Sequence, residues 1–115
     1  MPGGSGTCLR MIPEITEAEL SARIANANVP VLVDFTTQWC GPCRALGPIL
    51  DQLAANAAGR YQIVKVDGDA WPALAGRLGV RAFPTMIVFS GGAEVARHVG
   101  LTSKTRIEAL LSDSF

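Results

Sequence analysis

The sequence predicts an α/β fold in which a central mixed sheet carries helices on both faces. Strand-like apolar runs alternate with amphipathic segments along most of the 115 residues, which indicates parallel pairing with helical crossovers. A Gly-Gly pair near the C-terminus joins two further strand-like runs, which is typical of an antiparallel hairpin. The length fits one domain, and 49% apolar residues are enough to bury a core.

The first strand and the first helix are predicted from proline and capping signals. Residues 9–13 are expected to form a short edge strand that ends at Pro13, because proline cannot donate to a ladder. Thr16 and Glu19 then occupy the two positions of a capping box, and apolar residues follow at helical spacing. A helix is therefore predicted over residues 17–27.

A buried strand and a long helix come next. Residues 31–35 form an almost continuous apolar run, which is typical of a central strand. After a cysteine-containing junction, apolar residues recur every three or four positions until Gly59, where the helix is expected to end. Pro48 lies inside this helix and should kink it, since proline removes one backbone hydrogen bond.

The following segment is predicted to contain a strand and a short helix. Residues 61–66 have the apolar, β-branched composition of a strand. Asp69 is expected to cap a helix that ends at Leu78, with Gly79 as its C-terminal cap.

A hairpin and a last helix complete the predicted order of five strands and four helices. Gly91-Gly92 separates strands over residues 84–90 and 93–99, and such a pair favours a two-residue turn. Thr102 or Ser103 caps the last helix. Its apolar face carries Ile107, Leu110 and Leu111.

Composition argues against several classes of protein. Ten basic and ten acidic residues balance, so no nucleic-acid or membrane-surface partner is expected. No stretch approaches the roughly 20 apolar residues that span a bilayer. Residues 1–8 lack the basic and apolar regions of a secretory signal and are interpreted as a flexible leader before a domain over residues 9–115.

The chain contains three cysteines, Cys8, Cys40 and Cys43, too few for a disulfide framework. Structural zinc sites usually have four ligands, and the chain adds only His98 to these thiols, so no metal and no other cofactor is expected. Cys8 is interpreted as a bystander thiol, with a regulatory or intermolecular disulfide as the alternative.

The most informative motif is the Cys40/Cys43 pair at a strand-to-helix junction. A cysteine at a helix N-terminus lies where unpaired N–H groups and the helix dipole favour a thiolate. We expect Cys40 to be exposed and to attack a disulfide, and Cys43, one turn later, to be shielded and to resolve the mixed disulfide. The alternative is a pair of inert buried cysteines.

Asp34 is a second anomaly, because it places a carboxyl group inside the apolar run over residues 31–35. Burial should raise its pKa, and such a group could accept the proton of Cys43 directly or through a water. The alternative is a structural acid paired with Lys65 on the adjacent strand. The residues alone leave both interpretations open.

Three further residues near the motif, or suited to its chemistry, carry predictions. Pro84 opens a strand, and residue statistics alone predict a trans bond before it. Trp39 is either a core aromatic or a surface plate beside the thiol, and its adjacency to Cys40 favours the surface. His98 is interpreted as an exposed strand residue rather than a catalytic base.

These residues together resemble the thioredoxin family over residues 9–115. Thr36 departs from the pattern, since many bacterial members have a second tryptophan there. The segments that carry the resemblance are Val33-Asp34-Phe35, Trp39-Cys40-Gly41-Pro42-Cys43-Arg44, Pro48, Lys65-Val66-Asp67, Phe83-Pro84-Thr85, Gly91-Gly92 and Val99-Gly100.

The resemblance implies a thioredoxin fold, a central mixed five-stranded sheet flanked by four helices, and reduction of protein disulfides. By resemblance, Cys40 attacks, Cys43 resolves, Asp34 accepts a proton and Lys65 lies near that acid. Pro84 would be a cis-proline facing the dithiol, against the trans expectation. The remaining expected substrate-binding residues are Trp39, Gly41, Pro42, Ala82, Phe83, Thr85 and Gly100.

The resemblance also implies partners: an NADPH-dependent thioredoxin reductase that recharges the dithiol, and disulfide-containing protein substrates. A cytoplasmic monomer is expected. Two alternatives are an oxidant or isomerase in an oxidising compartment, and a non-enzymatic subunit whose thiols are incidental. The Gly41-Pro42 dipeptide, which goes with reducing behaviour in the family, argues against the first.

Overall fold

The computed structural model describes residues 12–113, and within them four helices and four strands alternate as predicted until the final hairpin. The helices are α1 (Glu17–Asn26), α2 (Gly41–Ala55), α3 (Pro72–Arg77) and α4 (Lys104–Ser112). The strands are β1 (Val31–Thr36), β2 (Gln62–Asp67), β3 (Thr85–Ser90) and β4 (Ala93–Val99). In this part of the chain, no helix is long and apolar enough to cross a membrane.

The sheet is mixed, with the strand order β2-β1-β3-β4. Strand β1 pairs in parallel with β2, whereas β3 is antiparallel to both β1 and β4. Because β3 is antiparallel to β1, it starts at the edge of the sheet where β1 and β2 end. This edge holds the candidate site.

The expected five-stranded sheet is wrong by one strand within the described residues. Glu14 forms a single parallel bridge with Lys65, whose N–H donates to the Pro13 carbonyl at 3.0 Å. The bridge cannot lengthen, because Pro13 has no N–H and the capping box of α1 begins at Thr16. Residues 9–11 of the predicted strand lie outside the described residues.

Alternation along β1 divides the core into two layers. Leu32 packs against α2 and α4, whereas Val31, Val33 and Phe35 pack against α1 and α3. Asp34 shares the face of Leu32, so a carboxyl group enters the layer on the side of α2 and α4. The fully buried side chains on that side include Leu46, Leu50, Leu53, Met86, Ile107 and Leu111.

Several predicted boundaries change. Helix α2 runs through Pro48 but ends at Ala55 rather than at Gly59, because Ala58 and Gly59 form a left-handed turn with φ of 51° and 78°. Helix α3 begins at Pro72, and Asp69 does not cap it. The residue before a proline is disfavoured in a helix, which fixes this start.

The C-terminal predictions hold. Gly91 and Gly92 have φ of 62° and 84°, the two positive values of the tight turn predicted for the hairpin β3–β4. Ser103, one of the two predicted caps, accepts the Arg106 N–H at 3.2 Å and starts α4. Ile107, Leu110 and Leu111 are buried, as their spacing predicts.

Candidate active site

The two cysteines of the motif are joined as a disulfide at the edge of the sheet where β1 ends. The Cα atoms of Cys40 and Cys43 lie 5.2 Å apart. The chain leaves β1 at Thr36, turns through Trp39 and enters α2 at Gly41. The disulfide therefore occupies the first turn of the helix, as the spacing of the motif predicts.

Cys40 is the N-cap of α2. Its Sγ accepts the backbone N–H of Cys43 at 3.2 Å, and its carbonyl accepts the N–H of Arg44 at 3.2 Å. Pro42 lies in the first turn, where its missing N–H leaves no donor without a partner. After reduction, the same N–H group and the helix dipole stabilise a negative charge on Cys40 Sγ.

The expected contrast in exposure between the two cysteines is wrong for this oxidised pair. Cys40 is 7% exposed and Cys43 is 6% exposed. Their surroundings differ instead: Cys40 Sγ lies 3.5 Å from the carbonyl oxygen of Phe83, whereas Cys43 lines a cleft on the other side. The division of labour must therefore come from the neighbours of each sulfur rather than from its exposed area.

The segment that ends in Pro84 faces Cys40. The Phe83–Pro84 peptide bond is cis, so the trans expectation from residue statistics is wrong and the expectation from the resemblance is right. The Pro84 carbonyl accepts the N–H of Gly100 at 2.7 Å, and the Thr85 hydroxyl donates to the Ala82 carbonyl at 2.7 Å. The first bond ties the segment to Gly100, which follows β4. The second bond closes the turn that contains Phe83 and Pro84.

Trp39 is a surface residue, as its position beside Cys40 suggested. It is 69% exposed, yet its indole N–H donates to Oδ2 of Asp69 at 2.7 Å. Asp69 is held in turn, because its backbone N–H donates to Oδ1 of Asp67 at 2.9 Å. Sequence reasoning assigned Asp69 to a helix cap and missed this contact, which joins residues 30 positions apart.

We use the name docking face for the exposed or half-buried residues Trp39, Ala82, Phe83 and Gly100 together with Pro84, which is itself buried. Two exposed apolar residues, Val99 and Leu101, adjoin it on either side of Gly100. Sequence reasoning did not select either of them, although both flank a glycine that it did select. The remaining predicted substrate contacts, Gly41 and Pro42, are also exposed, whereas Thr85 is buried.

Cys43 also lines a cleft of about 390 Å³, whose lining includes none of the docking-face residues. The cleft is defined by its lining residues, which are Ile12, Glu14, Asp34, Thr36, Thr37, Gln38, Cys43, Arg44, Gly47, Pro48, Leu50, Asp51, Lys65 and Asp67. Four of them are acidic and two are basic, in contrast to the uncharged docking face. The cleft thus brings Cys43 and Asp34 to one cavity.

Asp34 is 5% exposed, and its Oδ1 has no hydrogen-bond partner among residues 12–113. Burial raises the pKa of this carboxyl from its ordinary 3.8 to about 7, while the positive charge of Lys65 acts in the opposite direction. A group with this pKa exchanges protons near neutral pH, which suits a proton acceptor for a thiol.

Lys65 lies directly opposite Asp34 in the register of β1 and β2. The two side chains nevertheless form no salt bridge: those of the described residues join Arg77 to Glu17 and Arg97 to Glu94. The alternative of a closely paired structural acid is therefore not what the structure contains. Lys65 acts on Asp34 through its charge at a distance.

The other titratable candidates lie away from this arrangement or outside the description. His98 is half-buried on β4 opposite Met86. Within residues 12–113, no group of three or more His, Cys, Asp or Glu side chains is placed to hold a metal ion. Cys8 and the predicted leader over residues 1–8 lie outside the described residues.

The family model for thioredoxin matches residues 11–113. Thioredoxin 1 of Nostoc sp. is 38% identical over 98 residues, which cover 85% of this chain and 92% of the relative. The bifunctional thioredoxin reductase/thioredoxin of Mycobacterium leprae is 40% identical over 100 residues, or 87% of this chain and 22% of that longer protein.

A solved structure shows the same fold. A mutant thioredoxin from Halobacterium salinarum superposes with a TM-score of 0.80 at 32% sequence identity. The alignment covers 90% of this chain and 88% of that one. The likeness therefore extends over nearly all of the sheet and helices that position the disulfide.

Proposed function

Since the chain belongs to the thioredoxin family of thiol–disulfide oxidoreductases, which act by dithiol–disulfide exchange, we propose that it is a general reductase of protein disulfides. The observation that supports this proposal most strongly is that the Cys40–Cys43 disulfide lies between an uncharged docking face and a buried acid. One side offers a surface for a protein, and the other offers a proton acceptor.

In the proposed reaction, the thiolate of reduced Cys40 attacks one sulfur of a substrate disulfide. The substrate S–S bond breaks, a mixed disulfide forms, and the second substrate sulfur leaves as a thiolate that takes up a proton. Cys43 then loses its proton to Asp34 and attacks Cys40 Sγ. The mixed disulfide breaks, the substrate is released as a dithiol, and Cys40–Cys43 is oxidised.

The geometry supports these roles for each cysteine. Cys40 Sγ is the sulfur that accepts a helix N–H and lies beside the Phe83 carbonyl on the docking face. Cys43 lines the cleft that Asp34 also lines. A substrate approaching the docking face therefore meets Cys40, and the proton of Cys43 passes to Asp34 in the cleft.

We propose that an NADPH-dependent thioredoxin reductase returns the disulfide to the dithiol. The Mycobacterium leprae relative supports this, because its name joins the two activities in one protein. We further propose that the protein works as a monomer in the cytoplasm. Reducing chemistry fits that compartment, where glutathione and thioredoxin systems keep thiols reduced.

Reduction of insulin, with dithiothreitol as the recycling reductant, tests the proposed function. Wild-type protein should accelerate insulin reduction, and Cys40→Ser should reduce the rate to that of dithiothreitol alone. Cys43→Ser that has been reduced and then freed of dithiothreitol should instead accumulate a covalent complex with insulin chains on non-reducing gels, because neither the resolving thiol nor an added dithiol can break the mixed disulfide. Equal rates for wild type and Cys40→Ser would contradict the proposal.

The reduction potential separates a reductase from an oxidant or isomerase. We expect a value close to that of a thioredoxin, about −270 mV. A value above about −200 mV, in the range of protein disulfide isomerase, would favour the oxidising alternative. The measurement needs only equilibration of Cys40–Cys43 with glutathione buffers.

A further inference from the structure

We propose that Gly68 and Asp69, in the turn that follows β2, are positioning residues that set the shape of the docking face. The inference rests on the proposed function and deepens it, because it identifies what adapts the surface to a protein disulfide. We do not propose that either residue contacts the substrate. Each acts through a different wall of the docking face, Gly68 through Phe83 and Asp69 through Trp39.

Gly68 is buried, and the ring of Phe83 occupies the space where a side chain would begin. A Cβ added at Gly68 would lie 2.4 Å from both Cε1 and Cζ of that ring. The Gly68 backbone cannot easily withdraw, since its N–H donates to the Thr36 carbonyl at 2.8 Å. Any larger residue at position 68 would therefore displace the ring of Phe83.

Displacement of Phe83 would change the shape of the docking face beside the disulfide. Its carbonyl oxygen lies 3.5 Å from Cys40 Sγ, and the next residue is the cis-proline of the docking face. Because Gly68 is outside the left-handed region, an alanine there would introduce no backbone strain of its own. The effect of a substitution can thus be assigned to the ring contact.

Asp69 holds the second wall. Trp39 is largely exposed and lacks the close packing that would fix an indole ring in a core, so its hydrogen bond to Asp69 Oδ2 is its main restraint. Asp67 fixes Asp69 by accepting its backbone N–H. A ring held in one orientation loses less conformational entropy when a partner docks.

The first test compares Gly68→Ala with Gly76→Ala in the insulin assay. Gly76 lies within α3, and a Cβ added there meets no atom within 4 Å, so it is a matched control. Gly68→Ala should raise KM for insulin about tenfold, equivalent to about 1.4 kcal/mol, with kcat changed less than twofold. Gly76→Ala should retain the wild-type KM.

A second-site variant shows whether the ring is responsible. Phe83→Leu removes the two ring atoms nearest to position 68, so Gly68→Ala combined with Phe83→Leu should match Phe83→Leu alone in KM. If Gly68→Ala does not fold, the test depends on the double variant. A double variant that folds and has the KM of Phe83→Leu supports the proposal. A double variant that also fails to fold overturns it. An unchanged KM in a folded Gly68→Ala also overturns it.

The Asp69 arm uses Trp71→Phe as background, in which Trp39 is the sole tryptophan. Asp69→Leu should lower the fluorescence anisotropy of Trp39 and raise KM for insulin severalfold, whereas Asp69→Asn, which keeps an acceptor oxygen, should resemble the background. Equal anisotropy and KM in all three would overturn this arm. A wild type that cannot reduce insulin would overturn the proposed function and this inference together.

Discussion

The two sides of the Cys40–Cys43 disulfide differ in the charge and the hydrogen bonding of the groups that surround them. On the docking face, backbone carbonyls, a proline and an exposed indole surround Cys40, and the Ala82 carbonyl, the Pro84 carbonyl and the indole N–H each form a hydrogen bond at 2.7 Å. In the cleft, charged side chains surround Cys43, and the buried Asp34 Oδ1 has no partner among the described residues.

This difference separates recognition from proton transfer. None of the five docking-face residues carries a charged side chain, so these residues do not themselves repel substrates of either charge. Burial disfavours the ionised form of a carboxyl group. For the same reason, the group can take up a proton at neutral pH. Substitutions on the docking face should therefore change KM, and substitutions in the cleft should change the dependence on pH.

The largest expected effect is on stability and concerns the cleft. The folded pKa of Asp34, about 7, lies above its ordinary 3.8, so the folded protein holds a proton that the unfolded chain loses between these values. The free energy of unfolding of the wild type should therefore fall as pH rises from about 4 to about 7.

Asp34→Asn removes this dependence. The oxidised variant should exceed the wild type by about 4 kcal/mol in free energy of unfolding at pH 9, and by little at pH 4. Urea denaturation at both pH values measures the difference. If the variant and the wild type differed by the same free energy of unfolding at pH 4 and at pH 9, ionisation of Asp34 would not limit stability.

The next effect is on the rate of exchange. Asp34→Ala removes the proposed proton acceptor of Cys43, so insulin reduction near pH 7 should slow about tenfold or more. At alkaline pH, where hydroxide ions can remove the thiol proton without a carboxylate, the rates of variant and wild type should converge. Equal slowing at both pH values would remove Asp34 from the proton transfer.

A smaller effect belongs to the docking face. Trp39→Ala removes an exposed aromatic surface beside Cys40, and KM for insulin should rise about fivefold. The pH at which the rate is half-maximal should stay that of the wild type, since Trp39 does not line the cleft. A shift in this pH would break the separation between the two sides.

The smallest effect concerns Lys65, whose charge lowers the pKa of Asp34. Lys65→Met should raise that pKa further and move the pH profile of exchange upward, with a rate change of less than about threefold at pH 7. Carboxyl chemical shifts followed by NMR during titration measure the pKa of Asp34 directly. Lys104→Met, which changes a lysine outside the cleft, should leave it unaltered.

Much of the site was predictable because its signals are local. A cysteine pair between an apolar run and an amphipathic helix places a dithiol at a helix N-terminus whatever the rest of the fold does. Asp34 was conspicuous because a carboxyl group rarely interrupts a buried strand. Pro42 and the Gly91-Gly92 pair likewise act on their own backbone.

Some features were missed because a neighbour distant in sequence decides them. Pro72 is the local reason that Asp69 does not cap α3, but the hydrogen bond that Asp69 accepts from the Trp39 indole joins residues 30 positions apart. The predicted difference in exposure between Cys40 and Cys43 ignored the Phe83 segment that covers Cys40. No periodicity in the sequence marks Gly68, whose importance comes only from the ring that packs on it.

The sequence by itself determined the α/β class, the redox pair, the buried acid and most element boundaries, because these depend on residues within one or two turns of one another. Only the tertiary structure decided that the ends of β1 and β2 and the start of β3 meet at one edge. That meeting sets the Phe83 carbonyl against Cys40, opens the cleft from Cys43 to Asp34 and leaves Lys65 facing the acid without a salt bridge. Such contacts depend on which elements pack together, and the local conformational preferences of the chain do not determine this packing.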